Sequence, residues 1–198
     1  MNLPNKLSLL RIILIPIFIF FYLAEFISFG KLIALVIFII AALTDMLDGK
    51  IARKYNLITN LGKLLDPIAD KLLVTAGLLL VVVDYTIPHP YGVLIAIVII
   101  GRELLISAFR QIAAAQNFVM AADKFGKIKM ITQVIALPML FVLSYLTYNV
   151  GITGTALLVC EIVAYVFIGL ATLFTVLSGF NYIIKNRQVL KEKENKNN

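Results

Sequence analysis

The chain has no tryptophan, one cysteine and one histidine, and only 15% of its 198 residues are charged. A single thiol leaves no disulfide and no cysteine-based zinc cluster to build on. Cys160 lies in an apolar run and reads as a small buried hydrophobe. The lone His89, between Pro88 and Pro90, reads as a solvated turn residue. The shortage of charge excludes an ordinary water-soluble core: 61% of the residues are hydrophobic and the mean hydropathy is +0.97. Acid is scarcer than base, with 11 Asp and Glu against 18 Lys and Arg, a net charge of +7. In so apolar a chain that surplus belongs next to a membrane, facing anionic headgroups. No soluble surface is left for nucleic acid, so none is expected as a partner.

What the chain has in abundance is long apolar runs. A membrane helix needs roughly 20 apolar residues to cross a hydrocarbon core of about 30 Å. Six segments meet that requirement: 7–29, 32–51, 64–83, 92–114, 128–148 and 155–184. The first is too long for a signal peptide, lacks a small-residue cleavage site and precedes further spans, so it is expected to remain in the mature protein. No linker or repeat divides the chain. Residues 1–190 are expected to form one all-α transmembrane domain, and 191–198 a disordered polar tail.

Of the 18 Lys and Arg, all but Lys31 lie at the N-terminus, around the second and fourth connections, or in the tail. The positive-inside rule then places both termini and those connections in the cytoplasm. Tyr85, Tyr91, Tyr145 and Tyr182, near span ends, read as interfacial anchors.

Ionisable groups within a membrane are costly and mark function by default. Four carboxylates fit that description: Asp45 and Asp48 at the end of the second span, Asp66 and Asp70 at the start of the third. Separations of three and four residues put each pair on one helix face. Asp45 lies fourteen residues from Lys31, and Asp70 fourteen from Asp84, so each sits about 21 Å from the opposite boundary. An antiparallel hairpin of these spans brings the two pairs to one depth. Capping or interfacial solvation accounts for any one such aspartate. Four at one level repel each other unless cations neutralise them, and hard oxygen donors suit Mg²⁺, Mn²⁺ or Ca²⁺.

The full stretch reads Asp45-x2-Asp48-Gly49-x2-Ala52-Arg53-x8-Gly62-x3-Asp66-x3-Asp70. It resembles the signature of the CDP-alcohol phosphatidyltransferase family at all eight defined positions. The opening Leu3-Pro4-Asn5-Lys6-Leu7-Ser8-Leu9-Leu10-Arg11, with Gly101-Arg102-Glu103, Arg110 and Gly126-Lys127-x-Lys129, resembles the phosphatidylglycerophosphate synthase branch, where threonine is commoner than Ser8.

The resemblance implies an activity and a set of roles. Asp45, Asp48 and Asp66 are metal ligands, and Asp70 is both a ligand and the general base. Two Mg²⁺ or Mn²⁺ ions are implied, and Asp45, Gly49, Ala52, Arg53 and Asp66 are implied to hold the cytidine diphosphate. Gly49 and Ala52 are small enough for close approach or for tight helix packing, and Arg53 is either a diphosphate ligand or a positive-inside charge. Gly62 would let the chain turn into the third span or merely interrupt it. Lys71 reads equally as a snorkelling cation.

The implied substrates are CDP-diacylglycerol and sn-glycerol 3-phosphate. The acceptor's phosphate is assigned to Arg110, Lys127, Arg11 and Lys129, although any cytoplasmic loop holds some basic residues. Glu103 is expected to offset Arg102 or another nearby cation. The resemblance further implies a homodimer, in a bacterial cell membrane, with the active site on the cytoplasmic side. Within the family, serine, inositol phosphate or phosphatidylglycerol remain alternative acceptors. Outside it, an aspartate-rich prenyltransferase or a cation transporter is the rival. A transporter requires polar residues continuing across the bilayer, and 32–43 and 72–83 offer only Thr75.

Overall fold

The computed structural model describes the backbone of residues 2–54, 60–115 and 124–187, and their side chains except at 3, 4, 45–54, 60, 61, 63, 64, 115 and 124. Six α-helices follow in order: α1 Leu3–Leu23, α2 Gly30–Lys54, α3 Asn60–Val83, α4 Tyr91–Ala115, α5 Lys124–Tyr145 and α6 Thr155–Lys185. A π-helical segment, Leu146–Val150, extends α5. No strand occurs among the described residues, so the all-helical expectation holds.

Four helical stretches are long and apolar enough to cross a bilayer: Asn5–Leu23, Tyr91–Ala114, Phe125–Val150 and Thr155–Lys185. The described apolar run of α2, Gly30–Thr44, is shorter than a span, and α3 carries Asp66, Asp70 and Lys71 in its first half. The expected six spans are thus six helices, of which four qualify as spans on their described residues.

Several boundaries also shift. The first helix starts near Pro4, which lacks the N–H that a first helical turn leaves unused anyway. It stops at Leu23, six residues short of the expected end, because the chain must reverse before Gly30. That reversal requires glycine: a Cβ on Gly30 would sit 2.5 Å from the Phe21 carbonyl oxygen. Gly62, expected to turn the chain into the third span or to interrupt it, lies inside the first turn of α3. Pro16, Pro67 and Pro138 sit inside α1, α3 and α5, as membrane helices tolerate where neighbours re-satisfy the freed carbonyls.

The helices run alternately up and down, α1 against α2 and α3, α5 against α2 and α6, and α4 against α3 and α6. At mid-height an aromatic cluster closes the interior. Phe18 of α1, Phe38 of α2 and Phe141 of α5 meet at centroid distances of 5.1–5.6 Å, and Tyr22 stacks edge-on to Phe141 at 5.3 Å. Phe18, Phe38 and Phe141 are fully buried. Edge-to-face contacts of this kind each add about 0.5–1.5 kcal/mol beyond the area they bury.

Beyond the aromatics, at the end opposite Asp66 and Asp70, the polar groups form one knot. Asp84 accepts from Lys31 at 2.5 Å, from Tyr22 at 3.0 Å and from Ser144, while Lys31 also donates to Ser144 at 2.8 Å. The Tyr148 hydroxyl reaches the Asp84 carbonyl at 2.6 Å, and its ring lies 4.6 Å from the Lys31 ammonium. This knot ties α1, α2, the end of α3, α5 and the π segment together.

Cys160 is exposed on α6, beside an apolar groove with Pro138 and Met139, and is not the buried residue expected. Hydropathy cannot separate a side chain facing lipid from one facing protein, since both surroundings are apolar. His89 is exposed, in line with expectation, and stacks on Tyr85 at 4.7 Å.

Candidate active site

Helices α1, α3, α4, α5 and α6 each bring polar residues to the end of the bundle that holds Asp66 and Asp70. On α1, Asn5, Ser8 and Arg11 recur every three residues and are all buried, Ser8 and Arg11 completely. On α4 the stripe is Glu103, Ser107 and Arg110; on α5 it is Lys129 and Gln133; on α6 it is Ser178 and Tyr182. Helical spacing of three or four residues aligns each set on one face, so the stripes converge although their residues are far apart in sequence.

Asp66 and Asp70 lie one turn apart on α3. The Ser8 hydroxyl donates to Asp66 Oδ1, fixing that carboxylate against α1. Both aspartates line an open cavity of about 460 Å³, together with Pro67, Lys71, Ser107, Arg110 and Gln111. Arg110 is held there from α6: its Nε donates to the Tyr182 hydroxyl at 3.0 Å, and its guanidinium stands 5.5 Å from the centre of that ring. Tyr182 is therefore no interfacial anchor. It is 3% exposed, because it continues the buried stripe of α6 one turn beyond Ser178.

A second, tighter cavity of about 60 Å³ also borders Asp70. Its polar walls are Arg11, Asp70, Glu103, Lys129 and Gln133, and Phe38 and Leu137 close its apolar end. Lys129 and Glu103 form an ion pair there with side chains only 9% and 12% exposed. Glu103 thus offsets Lys129, while Arg102 turns away and donates to Ser178 at 2.5 Å.

The residues expected from sequence accordingly separate into groups. Asp66, Asp70 and Arg110 share the open cavity; Asp70, Arg11 and Lys129 share the tight one; Lys127 is exposed and lines neither. The side chains of Asp45, Asp48, Gly49, Ala52 and Arg53 lie outside the described residues, although the α2 backbone that carries them continues to Lys54. Among the described residues no three carboxylate, histidine or cysteine groups converge on one point. The two described carboxylates do fit one half of a hard-cation site: they are oxygen donors one turn apart that border the same open cavity. Gln133 and Tyr182 were missed as site residues, and their signal was helical spacing from Lys129 and Ser178 rather than any motif.

Comparison with known proteins follows the same outline. The family model described as CDP-alcohol phosphatidyltransferase matches residues 1–177. The chain is 42% identical to the CDP-diacylglycerol–glycerol-3-phosphate 3-phosphatidyltransferase of Bacillus subtilis, over 96% of this chain and 97% of that one. It is 32% identical to the protein of the same name from Rickettsia felis, over 91% and 93% of the two chains. A protein of that name from Salmonella paratyphi A is 39% identical over 69% of this chain and 74% of its own.

Breaking a buried pair leaves an uncompensated charge, which costs about 3–5 kcal/mol, whereas replacing both partners by apolar groups costs little. Glu103→Gln is therefore expected to destabilise the protein by about 3 kcal/mol in a denaturant titration in detergent. Glu103→Gln combined with Lys129→Met should recover most of that loss; strictly additive losses would mean the two charges are not coupled.

Proposed function

The chain belongs to the CDP-alcohol phosphatidyltransferase family, and from that premise we propose that it transfers the phosphatidyl group of CDP-diacylglycerol to sn-glycerol 3-phosphate. The products are phosphatidylglycerol phosphate and CMP, and the step belongs to phospholipid biosynthesis. The observation that carries this reading is the meeting of Asp66 and Asp70, the last two aspartates of the signature, with Arg110 in one open cavity.

All six helices cross the membrane in this reading, with both termini and the aspartates on the cytoplasmic side of a bacterial cell membrane. The basic residues support that orientation, since they gather at the aspartate end while Lys31 alone marks the other. A headgroup-level site lets the acyl chains stay in lipid while nucleotide and acceptor arrive from water. The family resemblance adds a homodimer.

The chemistry is a substitution at the phosphorus esterified to diacylglycerol. The acceptor hydroxyl oxygen bonds to that phosphorus as the bond to the CMP phosphate breaks, and the hydroxyl proton passes to Asp70. CMP departs with the bonding electrons. Asp70 suits the base because it borders both cavities, within reach of an acceptor entering either. Asp66, held by Ser8, with Asp45, Asp48 and Asp70, would bind Mg²⁺ or Mn²⁺, two ions in the full site. Such cations supply charge neutralisation for the diphosphate. Gly49, Ala52 and Arg53 are assigned to the cytidine diphosphate, which Asp45 and Asp66 also contact in this scheme. Arg110, set by Tyr182 and open to water, is the leading ligand for the acceptor's phosphate, with Lys127 outside the cavity as a steering charge.

Purified protein with CDP-diacylglycerol, Mg²⁺ or Mn²⁺ and a panel of alcohols tests the reading through CMP release. Turnover with glycerol 3-phosphate, abolished in Asp70→Asn, is the expected result. Turnover only with serine or inositol phosphate would overturn the acceptor assignment.

Arg110→Ala is expected to raise the acceptor KM about 10- to 100-fold, since a charge-assisted contact to phosphate is worth about 1.5–3 kcal/mol. An unchanged KM would mean that the phosphate is held elsewhere.

A further inference from the structure

Gln133 is 2% exposed, and its Nε2 has no hydrogen-bond partner among the described residues. A buried amide N–H without an acceptor is costly and rare enough to need an explanation. Gln133 lines the tight cavity beside Asp70, so its amide is a hydrogen-bond donor available to whatever enters there.

The walls of that cavity narrow the choice of guest. Its described charged residues are two cations, Arg11 and Lys129, and two carboxylates, Asp70 and Glu103, so their formal charges cancel. A phosphate dianion entering a confined cavity whose described charges already balance would bring charge with no counter-ion. A neutral hydroxyl would bring only an oxygen for the Gln133 amide to donate to, and a proton for a neighbouring carboxylate to accept. The volume agrees: about 60 Å³ holds roughly four water-sized groups. A carbinol end of a short chain fits, and a six-membered polyol ring does not.

We propose that Gln133 is a specificity-determining residue that donates a hydrogen bond to the acceptor hydroxyl next to the one Asp70 deprotonates, thereby selecting acceptors with two adjacent hydroxyl groups. The inference rests on the proposed function, and it sharpens the assignment of basic residues. Arg110 holds the charged end of the acceptor in the open cavity, while Arg11 and Lys129 line the tight cavity, which receives the neutral end. Glu103 belongs with them as the residue that keeps Lys129 from attracting a free anion.

The test compares sn-glycerol 3-phosphate with 3-hydroxypropyl phosphate, which has the same length and charge but lacks the middle hydroxyl. Wild-type protein is expected to use the analogue with kcat/KM about 10- to 100-fold lower. Gln133→Met, close in length but without the amide, should lower kcat/KM for glycerol 3-phosphate by a similar factor and change that for the analogue by less than about 3-fold. The discrimination then collapses in the variant alone, which a general loss of folding would not produce. Equal use of both acceptors by wild-type protein, or an equal loss on both in Gln133→Met, overturns the inference. If the variant cannot be recovered folded, the wild-type ratio decides, with parity counting against the proposal. Wild-type protein that turns over neither compound, but accepts serine or inositol phosphate, instead removes the functional reading on which this one stands.

Discussion

A charge inside a bundle this apolar persists only if a neighbour of opposite sign, or a set of hydrogen bonds, replaces the water it has lost. That constraint orders the whole protein. The Lys31–Asp84 knot secures one end, and the Glu103–Lys129 pair and the Ser8–Asp66 contact organise the other. Between them, Phe18, Phe38 and Phe141 pack ring against ring at mid-height.

Asp70 stands where two unlike spaces meet. The open cavity, with Arg110 at its wall, suits a charged, hydrated group. The tight one, with balanced charge and a buried amide, suits a neutral group. An acceptor that carries both a phosphate and hydroxyls is matched by this division, because each part meets the surroundings in which its burial costs least. The positions of the supporting residues follow from helical periodicity: Tyr182 positions Arg110 from α6, Ser8 positions Asp66 from α1, and Glu103 holds Lys129 across α4 and α5.

Much of this was legible in the sequence. The helix count, the pairing of Asp66 with Asp70 on one face, and the family itself all follow from runs, spacing and a contiguous motif. What was not legible depends on which face of each helix meets its neighbours. Cys160 and Tyr182 were assigned opposite environments from those they occupy, because apolar composition is the same toward lipid and toward protein. In the sequence Lys31 and Asp84 mark depth and sidedness, although the fold joins them directly. Gln133 belongs to no motif and becomes informative only through its burial together with a nitrogen that has no partner among the described residues.

The central proposal is that the signature aspartates of α2 and α3 together bind a hard cation. Titrating the purified protein with Mn²⁺ and following free ion by electron paramagnetic resonance tests it directly. Saturable binding that is sharply weakened by Asp66→Asn, with the helical content intact, is the predicted result. Weak, unsaturating binding, indifferent to that substitution, would contradict it.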